Sequence, residues 1–417
     1  MEILHRDIMD QLEKYEDRRE IIVIKGPRQA GKTTIMKNIE QNMEGNKGFI
    51  NFENAATRKE FEESPIAFVK SFGANGKLTI FMDEVQKLDK GGEKLKLLFD
   101  EIDGLKIYAS GSSSLELRSN VLHALAGRAL IFELLTFSFG EFLGSRDKGL
   151  YEVYSELHAS VARFIKDGGK PAPPALSLGL AGYLKDYLVY GGYPEVVKES
   201  KDTEIREKLI TDIFNLYMDK DAVSFFDIRE ANKFMAFSKA IAFSTANILN
   251  LSSLANDISI TGYMADKFLG AMVNSYMVSA VQPFYKNVRT EIKKAPKIYF
   301  YDLGMRNSIL GNFTAFDNRE DRGTLAKNFV FRELLTMGYK PKYWRTTGNA
   351  EMDFVIEMPD GVLPVEVKLG GSEALGRSFY SFVEAYKPKR ALVVTLNEYF
   401  EKKVGDTTVC GVPIFYL

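Results

Sequence analysis

Residues Gly26-Pro27-Arg28-Gln29-Ala30-Gly31-Lys32-Thr33 carry the spacing G-x-x-x-x-G-K-T. They follow the apolar run Ile21-Ile22-Val23-Ile24 and precede a helical pattern that opens Thr34-Ile35-Met36. Strand, glycine loop and helix in that order form a phosphate cradle, or P-loop. Gly26 and Gly31 allow a backbone path that a side chain would block. The N–H groups of such a loop converge on phosphate oxygens, and the helix N-terminus adds partial positive charge. The candidate nucleotide-binding residues are therefore Gly26, Pro27, Arg28, Gln29, Ala30, Gly31, Lys32, Thr33 and Thr34. Lys32 would reach the β- and γ-phosphates of ATP and take part in catalysis, and the Thr33 hydroxyl would ligate Mg²⁺.

Leu78-Thr79-Ile80-Phe81-Met82 is apolar enough for a strand buried on both faces, and it ends in Asp83-Glu84. In an open α/β sheet the ligand sits at the carboxyl ends of the strands. Asp83 would then face the Mg²⁺ held by Thr33, and Glu84 would polarise the attacking water. Lys106 to Ser113 is another strand running into a polar loop, where Ser110 or Ser112 could sense the γ-phosphate. Arg128, in Ala126-Gly127-Arg128, is a candidate arginine finger in cis or from a neighbouring subunit of a homo-oligomer, with Arg118 as its rival.

A second set of reactive types lies near the C-terminus. Met352 to Glu357 and Val362 to Lys368 flank the turn Pro359-Asp360-Gly361. In such a hairpin, facing residues have numbers summing to about 720, so Asp353 is expected opposite Val367, give or take one residue. Glu366 and Lys368 share a strand face. Glu333 would join them from the preceding helix. Glu333, Asp353 and Glu366 are candidate metal ligands. Asp353, Glu366 and Lys368 are candidate catalytic residues for metal-dependent phosphodiester cleavage, the D…E-x-K arrangement of restriction-endonuclease-like nucleases.

The chain also resembles a family of prokaryotic AAA-type P-loop ATPases. The resemblance rests on the P-loop, on Met82-Asp83-Glu84-Val85-Gln86-Lys87, on Gly111-Ser112-Ser113-Ser114-Leu115, on Ala126-Gly127-Arg128, and on Leu135 to Phe142. It continues in Gly191-Gly192-Tyr193-Pro194, Glu351-x-Asp353-Phe354 and Pro364 to Lys368. It implies ATP and Mg²⁺ as cofactors and an α/β fold. In that fold a parallel P-loop NTPase sheet is followed by an α-rich winged-helix region and an α/β restriction-endonuclease-like domain. The expected division is an ATPase domain at 1–145, a helical lid at 146–204, a winged-helix domain at 205–297 and an endonuclease-like domain at 298–417. The nucleotide state would regulate the nuclease-like domain. The alternative is an ATP-dependent switch or adaptor that cleaves nothing.

The supporting elements fit this reading. The chain has 417 residues, more than one core can hold. Its net charge of −1 provides no global basic field for nucleic acid. DNA contact would use the local basic segment 286–297, with Lys286, Arg289, Lys293, Lys294 and Lys297, and the C-terminal domain. A single cysteine, Cys410, excludes an internal disulfide and fits a cytoplasmic location. No apolar stretch reaches the roughly eighteen residues of a membrane span. Residues 3–19 read as an amphipathic helix, and 250–278 as a helix-turn-helix pair with Ser259 or Thr261 as N-cap.

Overall fold

The computed structural model describes residues 4–73, 76–111, 121–223, 230–285, 294–370 and 375–417. The chain divides into two compact units, Met1–Thr136 with Asn274–Tyr276, and Phe137–Val273 with Met277–Leu417.

The first unit is built on five parallel strands: β1 (Ile21–Lys25), β2 (Asn46–Asn51), β3 (Leu78–Asp83), β4 (Leu105–Gly111) and β5 (Ala129–Glu133). Their order is β2-β3-β4-β1-β5. Side chains alternate across the pleat. Ile21 and Val23 enter one core with Ile80, Met82, Leu95 and Leu98. Ile22 and Ile24 enter the other with Ile35, Met36, Phe81 and Tyr108. Helices Gly91–Glu101 and Lys32–Asn42 thus cover opposite faces. That double covering is why the strands read as unbroken apolar runs. Each buried Ile or Val contributes about 1.5–3 kcal/mol relative to exposure. The expected N-terminal helix is shorter than its pattern, Asp7–Glu13, because single-turn backbone bonds from Tyr15, Glu16 and Arg18 close the chain beyond it.

The second unit opens with helices Phe139–Arg146, Lys148–Asp167 and Ser177–Tyr190. Phe139–Arg146 starts in a capping box in which Ser138 and Glu141 satisfy each other's backbone N–H groups. The Gly-Gly-Tyr-Pro element follows Ser177–Tyr190. A Cβ on Gly191 would fall 2.2 Å from Asp302 Oδ1, and one on Gly304 would fall 2.1 Å from the Tyr190 carbonyl oxygen. Two backbone segments therefore cross here at a distance only glycine permits. Asp302 locks the crossing by accepting the Gly192 N–H at 2.9 Å.

Helices Ala231–Phe243, Leu251–Asp257 and Gly262–Asn274 lead into an antiparallel pair, β6 (Val278–Val281) and β7 (Lys297–Phe300). Thr261 is the N-cap of the third helix, its hydroxyl accepting the Met264 N–H at 3.2 Å. The remaining strands are β8 (Lys342–Arg345), β9 (Glu351–Met358), β10 (Gly361–Lys368), β11 (Arg390–Thr395), β12 (Phe400–Val404) and β13 (Thr407–Pro413). They form a mixed sheet ordered β12-β13-β11-β10-β9-β8. Cys410 is buried in β13. Among the described residues no helix is long and apolar enough to cross a membrane.

Candidate functional site

The sheet order of the first unit assembles the phosphate cradle. β1 lies between β4 and β5, and β3 lies next to β4. The carboxyl ends of β1, β3 and β4 therefore meet, and the P-loop leaves from β1. Gly26 sits at φ 155°, and a Cβ there would lie 1.8 Å from the Leu134 carbonyl oxygen. Gln29 and Gly31 also take positive φ, 58° and 99°. Pro27 and Ala30 are buried, Arg28 is half-buried, and Gln29 and Thr34 are exposed.

Lys32, 5% exposed, donates from Nζ to the carbonyls of Gly26 at 2.9 Å and Pro27 at 2.7 Å. The Thr33 hydroxyl donates to Asp83 Oδ2 at 2.8 Å. Ser110, fully buried, donates its hydroxyl to the other Asp83 oxygen. Glu84 takes the left-handed conformation, φ 59° and ψ 44°, and its carboxylate accepts a hydrogen bond from the Gln86 amide. A non-glycine residue held there costs of order 1–3 kcal/mol, a strain found at functional positions. The hydroxyl of Thr33 and the carboxylate of Asp83 are hard oxygen donors set together. They suit Mg²⁺, which takes a carboxylate and keeps positions for water and phosphate.

Arg6 belongs to this site, and sequence reasoning missed it. Its buried guanidinium donates to the Ala30 carbonyl at 2.9 Å and the Leu135 carbonyl at 2.7 Å, tying the P-loop to the chain after β5. The apolar stripe of Ile8 and Leu12 announced a packed helix, but nothing in it distinguished this arginine from a solvated one.

Three expectations need correction. Arg128 is not the arginine finger in cis. It precedes β5 at the amino end of the sheet, where its carbonyl accepts the Ile21 N–H at 2.8 Å. The phosphates would lie at the other end of β1, about 16 Å away for five residues of strand. Its guanidinium pairs instead with Asp100 at 3.0 and 3.2 Å. Ser110 spends its hydroxyl on Asp83, while Ser112 and Arg118 lie outside the described residues.

Glu333 does not join Asp353. It is fully buried and accepts the Phe139 N–H at 3.2 Å, satisfying the first turn of Phe139–Arg146. The residue of helix Arg322–Thr336 that reaches Asp353 is Lys327, Nζ to Oδ1 at 2.5 Å. Glu333 stands about 9 Å further along that helix and about 240° around it.

Lys297 does not offer its charge to phosphate. It is 1% exposed and pairs with Glu351 at 2.5 Å. Residues 286–293 of the basic segment lie outside the described residues.

The C-terminal cluster is otherwise assembled by the hairpin. Val365 pairs with Phe354 and Val362 with Glu357, one residue off the centred register. The Asp353 Oδ2 accepts the Val367 N–H at 3.0 Å. Glu366 has its pKa pushed up to about 8 by burial and by the Asp353 charge, with Lys327 and Lys368 pulling the other way. The Lys327 ammonium loses solvation by burial, yet Asp353 and Glu366 raise its pKa on balance. Among the described residues no group of three or more His, Cys, Asp or Glu could hold a metal ion.

Residues 18–143 match the family model described as an AAA domain. Residues 182–315 and 322–415 match two models each described as a domain of unknown function, DUF8612 and DUF4143. An uncharacterized protein of Mycobacterium tuberculosis is 25% identical over 415 residues, covering 98% of this chain and 83% of its own. Another, of Methanocaldococcus jannaschii, is 25% identical over 368 residues, 85% of this chain and 75% of its own. Among solved structures, the Holliday junction branch migration motor RuvB of Thermotoga maritima aligns with TM-score 0.30 and 18% identity over 67% of this chain and 90% of that one. ORC2 of Aeropyrum pernix aligns with TM-score 0.37 and 12% identity over 79% and 94%. The glycine loop, the acidic end of β3 and the five parallel strands thus fall within the stretch matched as an AAA domain.

Proposed function

We propose that the first unit binds ATP with Mg²⁺ and hydrolyses it, and that the nucleotide state sets what the second unit binds. The observation that carries this reading is the Thr33–Asp83 hydrogen bond beside a buried, inward-folded Lys32. Lys32 already solvates its ammonium on loop carbonyls. On nucleotide binding it would exchange those partners for β- and γ-phosphate oxygens. Thr33 and Asp83 would hold Mg²⁺, which neutralises charge on the phosphate oxygens. Glu84 would orient a water and accept its proton as the water oxygen attacks the γ-phosphorus. The bond from that phosphorus to the β–γ bridging oxygen then breaks, releasing ADP and phosphate. An arginine from a second copy of the chain would complete the site, since Arg128 does not serve it in cis.

The region 205–297 reads as a winged-helix domain. Three helices are followed by a two-stranded β6–β7 pair, and Thr245 and Ile248 bridge onto β7. The part from 298 onward reads as endonuclease-like in topology, with Asp353, Glu366 and Lys368 on the β9–β10 hairpin beside parallel β11. The reading of this part as a binding module rather than a nuclease is favoured by Lys327, which neutralises Asp353. DNA stays the candidate partner for 286–297, without Lys297.

The test is ATP binding and turnover by wild type and Lys32→Ala. Loss of measurable nucleotide binding in the variant is expected. Unchanged ATP affinity would remove the P-loop assignment.

A further inference from the structure

We propose that Lys327 takes the place of a divalent cation in the C-terminal cluster, so that this unit carries a metal-free site, and that removing this one ammonium uncovers a latent metal site. Four observations support it. The Lys327 ammonium lies 2.5 Å from Asp353 Oδ1, within the space a metal on that oxygen would need. The second Asp353 oxygen already accepts the Val367 N–H at 3.0 Å. Glu333, the acid that would have completed a set of three, serves Phe139 instead. Glu366 Oε2 is buried with no hydrogen-bond partner among the described residues, so one carboxylate oxygen of the cluster is left unsatisfied.

Charge decides the matter. A divalent ion next to Asp353 would sit about 4 Å from an ammonium, where repulsion opposes binding most strongly in a partly buried site. Burial and the Asp353 charge keep Glu366 protonated at neutral pH, so with the lysine in place Asp353 faces Lys327 and Lys368 and the cluster repels a cation. With the lysine gone, a cation that displaces the Glu366 proton meets two carboxylates against the one charge of Lys368, the condition that hard cations require. This inference deepens the binding-module reading of the second unit. It does not depend on ATP hydrolysis and is tested without nucleotide.

The experiment is Mn²⁺ titration, followed by electron paramagnetic resonance and calorimetry, of nucleotide-free full-length protein. Wild type, Asp353→Asn, Lys327→Gln and Lys327→Glu are compared. Wild type and Asp353→Asn are expected to bind Mn²⁺ alike. Lys327→Glu should gain a site with affinity higher on the order of a hundredfold, from turning a cation into an anion beside the metal. Lys327→Gln should gain less, and Mn²⁺ should raise the melting temperature of both variants but not that of wild type. Stoichiometric Mn²⁺ binding by wild type that Asp353→Asn abolishes would overturn the proposal. So would folded Lys327 variants that gain no Mn²⁺ binding. If Lys327→Glu does not fold, Lys327→Gln and the wild-type comparison decide alone.

Discussion

The Arg6 guanidinium donates to the carbonyl oxygen of Ala30 at 2.9 Å, so the P-loop is braced by a residue outside its own motif. A second bond to Leu135 at 2.7 Å makes the brace a two-ended strut. Hydrogen bonds from a charged group are worth about 1.5–3 kcal/mol each. Arg6→Ala should therefore lower stability by about 3–6 kcal/mol and weaken ATP binding roughly tenfold, because the loop must then be ordered by the ligand. Denaturant unfolding and nucleotide titration on the same preparation check both. ATP affinity equal to wild type would show that the brace is structural alone.

Glu84 holds a left-handed backbone at the end of β3, beside Asp83. Glu84→Gln keeps the shape and removes the proton acceptor. The variant should bind ATP with Mg²⁺ as wild type does and turn over about 10²–10⁴-fold more slowly, the usual worth of a general base. Phosphate release at saturating ATP measures it, and wild-type turnover would take Glu84 out of the mechanism.

The crossing at Gly191 and Gly304 leaves no room for a methyl group. Gly304→Ala would drive its Cβ to 2.1 Å from the Tyr190 carbonyl oxygen, a backbone atom that cannot rotate away. A loss of stability of about 3 kcal/mol or more is expected, on the scale of overpacking a tight site. A melting temperature within a degree or two of wild type would show that the two segments separate easily.

Asp321 supplies a pH dependence of known sign. Burial by itself would raise its pKa, but hydrogen bonds from Arg319 and Arg306 outweigh that and hold it at about 2. Those bonds are 2.7 Å from Arg319 Nε and 2.8 Å from Arg306 Nη1. Because the folded value lies below the unfolded value of about 3.9, the stabilisation is complete above about pH 4 and fades as pH falls toward about 2. With allowance for partial exposure it amounts to about 1–2 kcal/mol. Asp321→Asn should thus melt below wild type near about pH 6, and the gap should narrow near about pH 3 and close toward about pH 2. A gap independent of pH would show that the carboxylate charge contributes nothing.

Much of the first unit was legible in the sequence, because its signals are local. An apolar run, a glycine spacing and an acidic strand end are each written in consecutive residues, and a parallel sheet makes them converge at one edge. Asp83 and Thr33 meet there as their motifs require. The β9–β10 hairpin was legible for the same reason, a turn between two alternating strands, and its register came out within one residue. What the sequence determined by itself, then, is the set of elements and the phosphate cradle. Only the tertiary structure decided which distant side chains enter each site. Nothing in the residues around Arg6 and Lys327 sets them apart from other cations; packing alone set them against Ala30 and Asp353. Glu333 read as a ligand until helix phase turned it toward Phe139. Arg128 followed the family spacing, but strand direction placed it at the far end of the sheet. A charge's partner depends on rotation about a helix and on the end of a strand, and neither is encoded in the few residues around it.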